Sequence, residues 1–262
     1  MNLPVCFTSC LFGLLFICLF VTIKISQWIL KSRLHLLLPS SIQMTRRSMC
    51  YWQPLPLSCP TLQRRYVVIK NISIRILVTE PAEKFLAGQS SEQPVLENLL
   101  QIDGVDAIYR DEDEWSPSWT RGGPVLHIEL RKWAHILLVA PMSANTMAKM
   151  ANGIADNLLL SVIRAWDTTG VVDMGFKPQK TMIFAALDMD ACAYRHPVTK
   201  KQLKVLCDQW GWSESNPAGW VTVLPPVEKS RASGDVDTGS MMDWRDIVIA
   251  IQNYVAGSVQ KS

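Results

Sequence analysis

The loop Ala140-Pro141-Met142-Ser143-Ala144-Asn145-Thr146 joins a wholly apolar run to an amphipathic one, and sets three small polar side chains within four positions. In such a turn the first helical amides lack intrahelical acceptors and carry the positive end of the helix dipole. They therefore favour an anion or the electron-rich edge of a ring. An ordinary capped strand-to-helix turn has the same composition, since Ser143 and Asn145 both suit a cap. Imidazole is the side chain best suited to exchange protons near neutrality, which directs attention to the histidines. His135 abuts an apolar strand and His196 precedes Pro197, so both read as structural or solvated. His127 lies in the segment PVLHIELRKWA.

These residues need elements to position them. Ile136 to Ala140 (ILLVA) is uniformly apolar, as a parallel strand covered on both faces should be. Met147, Met150, Ile154, Leu158 and Val162 then recur at helical spacing, which predicts one helix from Asn145 to Trp166. Ser73 to Val78, Thr181 to Leu187 and Val221 to Leu224 read as strands, Val198 to Trp210 and Asp243 to Val255 as helices. Regular structure is expected from Val67, with a short helix beginning at Glu83 to Phe85 and a polar loop at Gln89 to Gln93. Alternating strands and helices imply a doubly wound, Rossmann-like (flavodoxin-like) α/β fold with a parallel sheet. Ligands bind such sheets at the carboxyl ends of the strands, here the loops after Ala140 and Leu187.

The first 39 residues are atypical. Residues 3–23 carry no charge and are long enough to cross a bilayer, with Lys24, Lys31 and Arg33 following them. Basic residues after rather than before the run argue against a secretory signal, and would leave the body of the chain in the cytoplasm if the run served as a membrane tether. The alternative is that this stretch is no part of the working protein. Residues 40–66 read as an irregular linker, 67–257 as the folded domain and 258–262 as a tail.

Composition narrows the classes of function. With 26 Lys and Arg against 23 Asp and Glu, the formal charge is +3, too balanced to indicate nucleic acid. Seven cysteines fall at positions 6, 10, 18, 50, 59, 192 and 207 without Cys-x-x-Cys spacing, which argues against a disulfide framework or a metal site.

The run APMSANTMAKMANGIADNLLLSVIRAWD, Ala140 to Asp167, resembles the signature segment of the flavin-dependent cysteine decarboxylases, above all phosphopantothenoylcysteine decarboxylase. Asp111 to Trp115 (DEDEW), Pro124 to Ala134 and Tyr194 to Thr199 (YRHPVT) extend the likeness, which covers roughly residues 73–250. The resemblance implies FMN in a Rossmann-like subunit, trimers with the site at a subunit interface, and Ser143, Ala144, Asn145 and Thr146 as flavin contacts. It implies His127 as the active-site base and 4′-phosphopantothenoylcysteine as substrate. Flavin oxidises the terminal cysteine to a thioaldehyde, carbon dioxide departs, and the enethiolate is reduced to 4′-phosphopantetheine on the way to coenzyme A.

Three departures from that pattern matter. The family opens with a strand and a Gly-Ser-Val-Ala type turn that holds the flavin phosphate. Here no glycine occurs between Gly13 and Gly88, so a tight phosphate nest is hard to build and FMN binding is expected to weaken. The family's Pro-Ala-Met-Asn-Thr is replaced by Leu187-Asp188-Met189-Asp190-Ala191, which puts Asp190 where an Asn binds the substrate carboxylate. An ionised Asp only accepts hydrogen bonds. Two like charges ~4 Å apart repel by roughly 4 kcal/mol at an effective dielectric near 20, about a thousandfold in binding. Asp188 adds charge beside the expected flavin. Finally, Ser233 stands where the family's flap carries the Cys that protonates the enethiolate, and a hydroxyl is a far weaker acid than a thiol.

The resemblance therefore implies a subunit that contributes His127 and is not active alone, working in a homo- or hetero-trimer with a paralogue that supplies Asn and Cys. Fungal members of the family divide the site in this way, and some also inhibit a type 1 protein phosphatase, which makes a non-catalytic regulator the alternative. A degenerate member without flavin is the second alternative.

Overall fold

The burial of successive strand residues already sorts them into two layers. In the computed structural model, which describes residues 19–25, 72–86, 95–116, 118–172, 181–213, 215–230 and 236–259, Ile74, Ile76, Val78, Ile136, Leu138, Ala140, Met182, Phe184 and Ala186 belong to one hydrophobic cluster. Their sequence neighbours Leu77, Leu137, Val139, Ile183, Ala185 and Leu187 belong to a second. The period of two is that of strands whose two faces are both buried.

The strands are β1 (Leu19–Ile25), β2 (Ile72–Val78), β3 (Val105–Arg110), β4 (Ile136–Met142), β5 (Met182–Leu187) and β6 (Val221–Leu224), in sheet order β3-β2-β1-β4-β5-β6. Neighbours β2/β3, β4/β5 and β5/β6 run parallel. A separate antiparallel pair, β7 (Val227–Ser230) and β8 (Val236–Ser240), follows.

Helices cover both faces. On the first lie α1 (Glu80–Leu86) and α7 (Trp244–Val259), through Ala82, Leu86, Ile247, Val248, Ile251 and Val255. On the second lie α2 (Leu126–Trp133), α3 (Ala144–Asn152) and α4 (Leu158–Arg164), through Leu130, Met147, Met150, Leu158, Leu159 and Val162. The short α5 (Ala191–Arg195) and α6 (Pro197–Lys204) complete the set. The doubly wound α/β reading agrees with this arrangement.

Several local expectations are corrected. The single helix from Asn145 to Trp166 is two helices. Gly153 ends α3 in the left-handed region at φ 71°, and the Asn157 side chain caps α4 by accepting the Leu160 N–H at 2.8 Å. Ile154 falls in the break and is exposed, so the apolar spacing that linked it to Met150 and Leu158 was fortuitous. The helix from Val198 is regular only to Lys204, after which Val205–Gln209 widens into a π-turn. Helix α1 starts at Glu80, ahead of Glu83, and α7 runs to Val259. Strand β3 and the short 3-10 helices Leu96–Gln101 and Asp111–Trp115 lie where no element was expected.

The larger correction concerns β1. Among the described residues regular structure is already present at Leu19–Ile25, ahead of Val67, and β1 runs antiparallel to both β2 and β4. An apolar run rich in branched side chains suits a buried strand as well as a helix, and periodicity alone cannot separate the two. Residues 19–23, the end of the expected apolar span, are thus in a strand, and no helix among the described residues is long and apolar enough to cross a membrane. The rest of the span and the linker 40–66 lie outside the described residues.

Orientation decides what reaches the ligand edge. Strands β2, β3, β4 and β5 end at the same edge, and deliver the loops after Val78, Arg110, Met142 and Leu187 to it. Because β1 is antiparallel, Leu19 pairs with Ala140 there. That slot presents the start of a strand rather than a strand-to-helix turn.

Candidate functional site

The acidic segment after β3 is a connector in which Asp111, Asp113 and Glu114 each have a defined contact, while Glu112 is exposed. Asp111 accepts the Leu158 N–H at 3.0 Å and the Glu80 N–H at 3.3 Å, so a single side chain meets the open amino ends of α4 and α1. Asp113 accepts the Arg110 N–H at 2.7 Å. The Arg110 guanidinium pairs with Glu83, and with Glu97 at 3.2 Å. The Glu83 contact holds it protonated above its ordinary range.

Glu114 turns to α2. One carboxylate oxygen lies 2.6 Å from His127 Nδ1 and the other accepts the His127 backbone N–H at 3.2 Å. The Glu114 side chain is only 6% exposed, whereas His127 keeps 24%. Val125, at the N-cap of α2, offers no side-chain cap. Glu114 therefore satisfies an orphan amide in the first turn, where negative charge is favoured. Beside this pair is a cleft of about 520 Å³ lined in part by Arg75, Tyr109, Asp113, Glu114, Trp119 and Leu126. Of its lining residues, Trp119 donates from Nε1 to the Gly123 oxygen at 2.9 Å, next to the turn at Gly122 (φ 91°).

The second element is the turn from β4 into α3. Ser143 is the N-cap, its hydroxyl accepting the Thr146 N–H at 3.1 Å and lying 3.1 Å from the Thr146 hydroxyl. Ala144 and Asn145 supply the first helical amides, for which the described residues offer no acceptor. The Asn145 side chain is exposed. Such donors can meet an electron-rich ring edge or an anion.

The third element is the loop after β5. Asp190 is the N-cap of α5, its carboxylate accepting the Cys192 N–H and, at 3.2 Å, the Ala193 N–H. Asp188 Oδ1 accepts the Met241 N–H at 3.1 Å, and the Met189 N–H donates to the Gly239 oxygen at 3.0 Å. This loop therefore carries the β7/β8 hairpin. A Cβ on Gly239 would fall 1.9 Å from the Met189 oxygen, so only glycine permits the approach.

All three segments leave the carboxyl ends of parallel strands. Among the described residues, however, His127 makes no hydrogen bond or ion pair to the Ser143–Thr146 turn or to Asp190. Ser233 lies outside the described residues. His196 is structural, its Nδ1 accepting the Val198 N–H at 3.2 Å to cap α6. Sequence reasoning missed Glu114, Asp111 and the Asp188 contact. The clustering of acids directly after a strand was the available signal for the first two.

The Flavoprotein family matches residues 57–256. The phosphopantothenoylcysteine decarboxylase of Mus musculus is 34% identical over 208 residues, 79% of this chain and 85% of the mouse protein. Protein SIS2 of Candida tropicalis is 41% identical over 188 residues, 71% of this chain but only 31% of that protein. The chain likewise spans 24% of a probable thymidylate synthase of Schizosaccharomyces pombe and 57% of a probable phosphopantothenoylcysteine decarboxylase of Arabidopsis thaliana. Among solved structures, a mutant PPC decarboxylase complexed with pantothenoylaminoethenethiol superposes with a TM-score of 0.53 at 36% identity, over 69% of this chain and 81% of the other. The FMN binding protein AtHal3 gives 0.51 at 36% identity, over 69% and 80%. The chain belongs to the flavoprotein family that contains the phosphopantothenoylcysteine decarboxylases.

Proposed function

We propose that this chain is one subunit of an FMN-dependent carboxy-lyase that converts 4′-phosphopantothenoylcysteine to 4′-phosphopantetheine, and that it contributes His127 as base to a site completed by a paralogue in a mixed trimer. The observation that carries the reading is the division of polar groups at the ligand edge. His127 is held and partly exposed, whereas Asp190, at the position of the carboxylate-binding Asn, is occupied as a helix cap.

The fit to flavin is uneven. The turn Ser143–Thr146 offers unused amides at a helix start, which suits the ring edge. The described residues supply no glycine turn at the β1 slot, where a strand begins instead. In this reading Ser143, Ala144, Asn145 and Thr146 hold the ring, and phosphate contributes less than it would to a complete nest. Bound flavin supplies a two-electron acceptor, later returned as donor, for the substrate's cysteine end. His127 takes a proton from the substrate, and α2 and Glu114 hold its ring in place. Asp190 does not donate to the substrate carboxylate. The exposed Trp119, which lines the cleft, and the exposed Trp115 next to Glu114 in the chain are the kind of surface that a second subunit covers.

The test is to express the full chain alone and with its paralogue, then measure bound flavin absorbance and carbon dioxide release. Activity only in the mixed assembly, lost on His127→Ala, is the expected result. Full activity of the isolated chain overturns the shared site. Occupation of Asp190 as a cap also favours a second reading, a non-catalytic regulator that inhibits a type 1 protein phosphatase. In that case inhibition persists in His127→Ala and no carbon dioxide is released from either preparation.

A further inference from the structure

We infer that Glu114 is the positioning residue that sets the tautomer of His127, keeping the hydrogen on Nδ1 and leaving Nε2 as the basic nitrogen. The inference rests on the proposed base role for its catalytic meaning, although the tautomer itself is independent of that role.

Three observations carry it. The Glu114 carboxylate meets α2 at two points, 2.6 Å from Nδ1 and 3.2 Å from the His127 backbone nitrogen. A carboxylate accepts and cannot donate, so the ring nitrogen facing it is the one that bears hydrogen. Fixing both the backbone and the ring of one residue leaves the imidazole little freedom to turn over. Second, the Glu114 side chain is 6% exposed, so water competes little for its oxygens and the contact to Nδ1 is strengthened. Third, the described residues give Nε2 no hydrogen-bond partner, while the ring stays 24% exposed. The free lone pair is thus available to whatever enters. In a neutral imidazole the hydrogen bond made by one nitrogen decides the state of the other.

An isosteric change makes a specific prediction. In Glu114→Gln the side chain has one acceptor oxygen and one donor NH2. The His127 backbone N–H can be met only by the oxygen. The NH2 is then left facing Nδ1, which can accept only when bare, so the hydrogen moves to Nε2 and the basic nitrogen is lost.

The experiment uses the full chain labelled with 15N-histidine, without flavin or substrate, at a pH where the ring is neutral. The 15N shifts of His127, assigned with His127→Asn, distinguish a protonated from a bare nitrogen. The native chain is expected to show Nδ1–H and bare Nε2, and Glu114→Gln the reverse. A native ring protonated at Nε2 overturns the inference whether or not the variant folds. A Glu114→Gln ring that keeps bare Nε2 overturns it as well. In the mixed assembly, Glu114→Gln should lower kcat at least tenfold with little change in KM. A tautomer that reverses while kcat is unchanged upholds the positioning and sinks instead the proposed role of His127 as base.

Discussion

The carboxylate of Asp188 accepts the backbone N–H of Met241 at 3.1 Å, across 53 residues of sequence. This contact joins the loop after β5 to the strand-to-helix passage that follows the β7/β8 hairpin. Asp188→Ala is expected to cost about 1 kcal/mol and to raise hydrogen exchange at the Met241 amide, while Asp188→Asn keeps an acceptor and most of the protection. Unchanged exchange in the alanine variant would show that the hairpin is held by other contacts.

Gly239 tests the same junction by steric means. Its backbone lies so close to Met189 that an added Cβ would sit 1.9 Å from the carbonyl oxygen. Gly239→Ala should displace β8, expose the hairpin to limited proteolysis and leave the sheet intact by circular dichroism. Global unfolding in place of local cleavage would count against this placement.

Asp111 caps two helices at once. Asp111→Ala should lower stability by about 1–2 kcal/mol, the ordinary cost of losing a cap, whereas Asp111→Asn, which keeps one acceptor oxygen for two amides, should lose roughly half as much. Urea denaturation of both variants decides the matter, and equal losses would assign the effect to charge rather than to acceptor geometry.

Flavin discrimination follows from β1. Among the described residues that slot holds the start of a strand and no strand-to-helix turn, so in the proposed reading FMN and riboflavin are expected to bind within about tenfold of one another, or about 1.4 kcal/mol. Fluorescence-quenching titrations measure both. A hundredfold preference for FMN would reveal a phosphate site elsewhere in the assembly.

Asp190→Asn separates folding from chemistry. Asn and Asp cap helices equally well, so stability should change by less than about 0.5 kcal/mol. The amide can donate to a carboxylate, and with Ser233→Cys in the same chain it should give measurable carbon dioxide release by the isolated protein in excess FMN. No gain would mean that further parts of the site are missing.

Some of this was legible in the amino-acid order. Ile136 to Ala140 reads as a buried strand because every residue is apolar, and the Ser143–Thr146 turn reads as a helix start because Ser143 can cap it. The break at Gly153 was harder to see, since Ile154 kept the helical spacing by chance while Gly153 and Asn157 ended one helix and began another. Strand β1 was opaque. Its apolar residues satisfy a bilayer, a helix or a sheet equally, and only pairing with β2 and β4 selects the sheet and its direction.

The deeper divide is between residue types and their partners. Sequence alone determined the layered α/β class, the strand ends at which a ligand is expected, and the functional groups that His127 and Asp190 carry, because hydrophobic period and side-chain type are local properties. Tertiary structure alone decided that Glu114 faces His127, that Asp188 holds Met241 and that Asp111 serves two helices. A carboxylate's partner is set by where the chain returns in space, and those returns span 13, 53 and 47 residues.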